Sequence, residues 1–88
     1  MAKYLIEQRH TGEGCLEVLD AFVAHRPGDL SQYDWGCAGG EHAGYAIVEV
    51  GSRSAVEASI PPAVRSRTRI VELSTFTPAQ IAAYHRGL

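Results

Sequence analysis

The residues of this 88-residue sequence that could do chemistry include His10, Cys37, His42, Glu49 and Glu72. Imidazole titrates near neutral pH, so His10, at the end of an apolar run, is a candidate general acid or base. Glu49 and Glu72 are candidate catalytic carboxylates. Facing one cavity, each would perturb the other, and one raised pKa would make a proton shuttle. Tyr4, Trp35 and Tyr45, with His42, are candidate ligand-binding groups, because flat aromatic faces suit an aromatic or polycyclic ligand. Cys37 and His42, joined by His10 or Glu49, would suit zinc, nickel or copper. The spacing offers neither C-x-x-C nor H-x-x-x-H, so no cofactor is expected and a transition metal is the lesser alternative. Cys37 beside His42 is a conceivable nucleophile, although a hairpin cysteine lacks the helix N-terminus that usually lowers a thiol pKa. Neither G-x-S-x-G nor the phosphate-cradling G-x-x-x-x-G-K-S/T occurs, and Gly36 to Gly44 is wrongly flanked for a dinucleotide site.

Elements that could position these groups follow from the patterning. Lys3–His10 begins apolar on both faces, which suits a central strand. Thr11-Gly12-Glu13-Gly14 is a turn cluster. Cys15, Val18, Leu19, Phe22 and Val23 fall on one helical stripe, so Cys15–His25 is predicted to be an amphipathic helix, ended by Pro27-Gly28-Asp29. Tyr33–Val50 reads as a hairpin whose turn is Gly39-Gly40-Glu41-His42. Ser52 or Ser54 caps a second helix, which Pro61-Pro62 stops. Thr68–Thr75 is a fourth strand, and Thr77-Pro78 opens a C-terminal helix that ends at Gly87.

The order is β-α-β-β-α-β plus a terminal helix, an α+β class of the ferredoxin-like, split βαβ kind. Two helices would cover one face of a four-stranded antiparallel sheet. The other face would be left bare, and a second copy of the chain would cover it. Leu5, Ala46, Val48, Val50, Val71 and Leu73 are assigned to the helix side. Tyr4, Ile6, Gln8, His10, Tyr45, Ile47, Glu49, Ile70, Glu72 and Ser74 are assigned to the bare side, as the lining of a small-molecule cavity. The register of the hairpin decides whether Trp35 and Cys37 join that lining, since one residue of slip flips every side chain. The cavity side is slightly favoured for Trp35.

Composition bounds the rest. Eighty-eight residues make a single domain, 1–88, with a thin margin of stability. A net charge of −2 argues against nucleic acid as a partner. Arg65, Arg67 and Arg69 read first as a solvated basic run and second as a phosphate or carboxylate clamp. No signal peptide and no membrane span are expected. Cys15 and Cys37 are not closely spaced, and two thiols without a secretion signal point to the cytoplasm.

The hairpin GEHAGYAIVEV and the stretch IPPAVRSRTRIVELSTFTPAQI, from Ile60 to Ile81, resemble small bacterial members of the dimeric α+β-barrel superfamily. There a Gly-Glu-His, as at Gly40, Glu41 and His42, leads into a strand ending in Glu, as at Glu49. The resemblance implies a homodimer with facing sheets and a C-terminal segment, about Phe76 to Leu88, reaching toward the partner. It also implies activities such as cofactor-independent isomerase, cyclase or monooxygenase chemistry on a small organic metabolite. Nickel-type metal binding and non-catalytic ligand sensing are the alternatives within it, and fold alone does not choose among them.

Overall fold

The computed structural model describes residues Met1 to Gly87. Strands β1 (Ala2–Arg9), β2 (Asp34–Trp35), β3 (Ala43–Val50) and β4 (Thr68–Leu73) form one antiparallel sheet in the order β2-β3-β1-β4. Helix α1 (Cys15–His25) joins β1 to β2, α2 (Arg53–Ser59) joins β3 to β4, and α3 (Pro78–His85) follows β4. Short 3-10 turns cover Pro27–Gln32, Cys37–Gly39 and Pro62–Arg67. The chain is therefore an α+β fold built on a four-stranded antiparallel sheet. Among the described residues, no helix is long and apolar enough to cross a membrane.

Local chemistry explains each boundary. Gly14 caps α1, and its own N–H is held by the Thr11 hydroxyl at 3.1 Å, so the Thr11–Gly14 turn sets where Cys15 begins the helix. Ser52 caps α2 by accepting from the Ala55 N–H at 3.2 Å. Thr77 and Gln80 form a reciprocal capping box at α3, with Pro78 in the first turn.

Val18 and Phe22 of α1, Val56 of α2, and Ile60 and Val64 beyond it pack on Tyr4, Ile6 and Ala46 of the sheet. Tyr33 closes this core at the β2 edge. It meets Phe22 edge-on at a centroid distance of 4.9 Å, and Trp35 meets Phe22 at 5.3 Å and Tyr33 at 5.5 Å. Gly44 lies opposite Trp35, and a Cβ there would fall 2.4 Å from the indole ring. Only glycine allows the indole to lie flat on β3. Burial, then the charge of Asp29, pushes the Tyr33 phenol up to about 12. The folded chain thus holds that proton where an unfolded tyrosine loses it near 10, so stability is expected to fall as pH rises from 10 toward 12. An alkaline titration followed by tyrosinate absorbance checks this. Ionisation of all four tyrosines near 10 with the fold intact would contradict it.

The register corrects the predicted faces of β1 and β4. Tyr4 pairs with Val48 and Glu72, Ile6 with Ala46 and Ile70, and Gln8 with Gly44 and Thr68. Tyr4, Ile6 and Gln8 therefore lie under the helices, whereas Leu5, Val71 and Leu73 face away from them. On β3 the predicted alternation holds, with Ala46 and Val48 inward and Tyr45, Ile47 and Glu49 outward. Trp35 is also inward, opposite to the favoured reading. β1 is apolar on both faces, so its sequence does not choose between parities, and one step reverses them all. The hairpin differs too. β2 is two residues long, because Gly36 bends the chain. Gly36 donates to the Ala43 carbonyl and accepts from the Glu41 N–H, which starts the turn early.

Among the described residues, one sheet face carries no helix. Its centre is Leu5 flanked by Ile47 and Val71, bordered by Lys3 opposite Glu49 and by Glu7 opposite Arg69. α3 buries no side chain and stands off the sheet. The radius of gyration is 16.0 Å, against about 12 Å for a compact chain of this length.

Candidate metal centre

β1 ends at Arg9, and the next residue, His10, donates its backbone N–H to the carbonyl of His42 at 3.1 Å. That bond sets the two imidazoles side by side, with centroids 5.9 Å apart. Cys15 enters from the first position of α1, and Cys37 from the turn after β2. Four donors thus converge from the residue after β1, the first position of α1, the turn after β2 and the residue before β3. The ligand atoms of His10, Cys15, Cys37 and His42 all lie within 4.8 Å of one another, and all four side chains are half-buried. The two sulfurs are 3.4 Å apart, and Cys37 Sγ is 3.4 Å from His10 Nε2.

The two 3.4 Å contacts at Cys37 are close to the edges of a metal-centred tetrahedron. Zinc bonds of about 2.3 Å to sulfur and about 2.0 Å to nitrogen imply edges of roughly 3.3–3.8 Å. Two thiolates and two imidazoles form a donor set suited to zinc, nickel or copper.

The surrounding groups prepare His10 for this role. Gln8 is fully buried. Its Nε2 donates to the Arg9 carbonyl at 2.7 Å, which leaves its Oε1 facing His10 Nδ1 at 2.8 Å. His10 must then carry its proton on Nδ1 and present a lone pair on Nε2 toward Cys37. This is the outer hydrogen bond that metal-binding histidines commonly use. Burial, then the charges of His42 and Arg67, holds His10 below the usual histidine value, which keeps it neutral and able to ligate. The Cys15 thiol is pushed up by its hydrogen bond to Cys37, by burial and by the Cys37 charge, as expected when two sulfurs crowd together.

His42 differs in that one of its ring nitrogens, the buried Nδ1, lacks a hydrogen-bond partner among the described residues. A buried polar nitrogen without a partner is costly, and a metal ion would satisfy it. Its ring packs against Gly12, where a Cβ would lie 3.1 Å from Nε2. Replacing Gln8 by Met keeps the volume and removes the acceptor, so metal affinity is expected to drop about 10–100-fold. Competition with a chromophoric chelator measures this, and unchanged affinity would show that Gln8 does not position His10.

The other predicted site residues do not gather here. Tyr4 is a core residue at 5 % exposure, and Trp35 packs on Phe22. Tyr45 is on the helix-free face beside Glu7 and Asp34. Glu49 is opposite Lys3 on that face, while Glu72 is opposite Tyr4 and so on the other face. The expected carboxylate pair therefore shares no cavity. Both lie toward the start of β1, about 20 Å of strand away from His10. Cys15 was the donor that sequence reasoning missed, because it reads as one more apolar position of the α1 stripe. A signal for it exists. His10 and Cys15 are separated by four residues, Cys37 and His42 by four residues in mirror order, and both spacers are glycine-containing.

Compared with protein-family models, with curated proteins and with solved structures, the chain matches none.

Proposed function

We propose that this protein binds one transition-metal ion through His10, Cys15, Cys37 and His42, with zinc the ion that best suits a Cys2His2 tetrahedron. The carrying observation is the convergence of four such donors within 4.8 Å from four separate points of the chain. Four protein ligands close the coordination sphere, which is the pattern of structural, storage or sensing sites rather than hydrolytic ones with an open position. Nickel or copper would use the same donors. The expected cofactor-independent enzyme has less support, since His10 belongs to this cluster and Glu49 and Glu72 lie on opposite sheet faces.

The strand order and the helix-free face also favour a ferredoxin-like subunit that pairs with a second copy. The apolar stripe of Leu5, Ile47 and Val71 is of a kind that dimers bury, and Phe76, Ile81 and Tyr84 are exposed on the projecting C-terminal arm.

Elemental analysis of untagged protein tests the metal reading. One equivalent of metal per chain is expected. Replacement by cobalt should give the intense visible bands of a tetrahedral thiolate complex. Metal well below one equivalent after zinc loading, or cobalt spectra without sulfur charge transfer, would overturn it.

A further inference from the structure

We infer that Cys15 and Cys37 form a redox switch of this centre: a hydroperoxide closes them to an intramolecular disulfide, and the disulfide excludes the metal. The link to the metal rests on the metal-binding reading above; closure of the disulfide does not.

The geometry carries the argument. Both cysteines are free, and their sulfurs are 3.4 Å apart although the residues lie 22 positions apart in the chain. A disulfide needs about 2.05 Å, so closure asks for little more than 1 Å of movement. The Cys37 side has room to give it, because that residue sits in a turn followed by Gly39 and Gly40. A metal between the two sulfurs would instead hold them roughly 3.8 Å apart, as thiolates. One pair of sulfurs cannot be both. Loss of two of four donors leaves only His10 and His42, which hold an ion weakly.

Access points to Cys37 as the sulfur oxidised first. Cys37 lines an open cleft of about 620 Å³ with Leu19, Pro27, Leu30, Trp35 and Ala38, whereas Cys15 does not line it. The step balances as follows. The Cys37 sulfur attacks one peroxide oxygen, the O–O bond breaks, and the departing oxygen takes a proton to leave as water or alcohol. Cys37 becomes a sulfenic acid. Cys15 then attacks that sulfur, the S–O bond breaks, and the hydroxyl takes a proton and leaves as water. The two sulfurs lose two electrons, the peroxide gains them, and the metal departs as its divalent ion.

The test uses the full chain, reduced and loaded with zinc, then treated with hydrogen peroxide. Zinc release to a chromogenic chelator is expected to keep step with the loss of both thiols and with a mass loss of two hydrogen atoms per chain. Dithiothreitol should restore thiols and zinc binding together. Cys15→Ser should strand Cys37 as a sulfenic acid that dimedone labels, while the native chain escapes labelling. Retained thiols and retained zinc would overturn the inference. So would mass gains of oxygen without a disulfide, or equal dimedone labelling of both chains. Should the reduced chain take up no zinc, the metal reading falls, and the mass of the peroxide-treated metal-free chain still decides whether the pair closes.

Discussion

Zinc added to the metal-free chain is expected to raise its thermal midpoint by about 15–30 °C. The figure comes from linkage. An ion that binds only the folded state at about 1,000 times its dissociation constant contributes about 4.1 kcal/mol. A domain of this size shifts by about 4–8 °C for each kcal/mol. Structural zinc sites bind with apparent free energies of about 10–16 kcal/mol, so the required excess is reached at low free zinc. The effect should be large because of what the ion would tie together. The four donors come from the residue after β1, the first position of α1, the turn after β2 and the residue before β3. Without metal, that end is joined by the Gln8–His10 bond, the His10–His42 backbone bond and the Cys15–Cys37 contact. Cys15→Ser and Cys37→Ser should each remove most of the zinc-dependent shift while changing the metal-free midpoint little. Circular dichroism melts with zinc, with magnesium and with chelator measure it. A native shift under about 2 °C with saturating zinc, or equal shifts in both variants, would contradict the Cys2His2 assignment.

How much of this was legible beforehand depends on the kind of signal. The punctuation residues carried the element order. Pro61-Pro62 ends α2, Thr77-Pro78 opens α3, and the glycine-rich runs mark turns. Side-chain direction was less legible. Tyr4, Leu5 and Ile6 are apolar in succession, so β1 has no period to read, and the more uniform face was assigned to the helices. A polar Gln8 reads as a marker of the open face, yet it is fully buried with both ends of its amide bonded. Glu49 is expected on the helix-free face and lies there, because β3 does alternate. The metal centre was half-visible. Cys37, His42 and His10 group together as donors in the sequence, but Cys15 fits a helix stripe so well that its sulfur does not stand out. Amphipathic periodicity and ligand spacing are separate signals, and a cysteine at the first position of a helix can satisfy both.

Phe22→Ala tests how the centre depends on the core. Phe22 is 1 % exposed and is the side chain on which both Tyr33 and Trp35 rest edge-on. Removing such a ring from a core costs about 3–5 kcal/mol. A small domain has about 5–15 kcal/mol in total and this one sits toward the low end by size, so the metal-free variant should be largely unfolded at 37 °C. The loss should fall first on the segment that carries Cys37. β2 has only two residues, and Trp35 is held by Phe22, Tyr33 and the bare backbone of Gly44. Without the Phe22 ring that arm loses its main apolar anchor, and Cys37 is two residues beyond it. Because ligand binding is then coupled to folding, excess zinc should restore a cooperative transition in Phe22→Ala, with affinity weakened by the same free energy that the core has lost. Near-ultraviolet circular dichroism of Trp35, followed through a zinc titration, reports both events at once. A metal-free variant that melts within about 5 °C of the parent would show that the aromatic cluster does not hold the β2 arm.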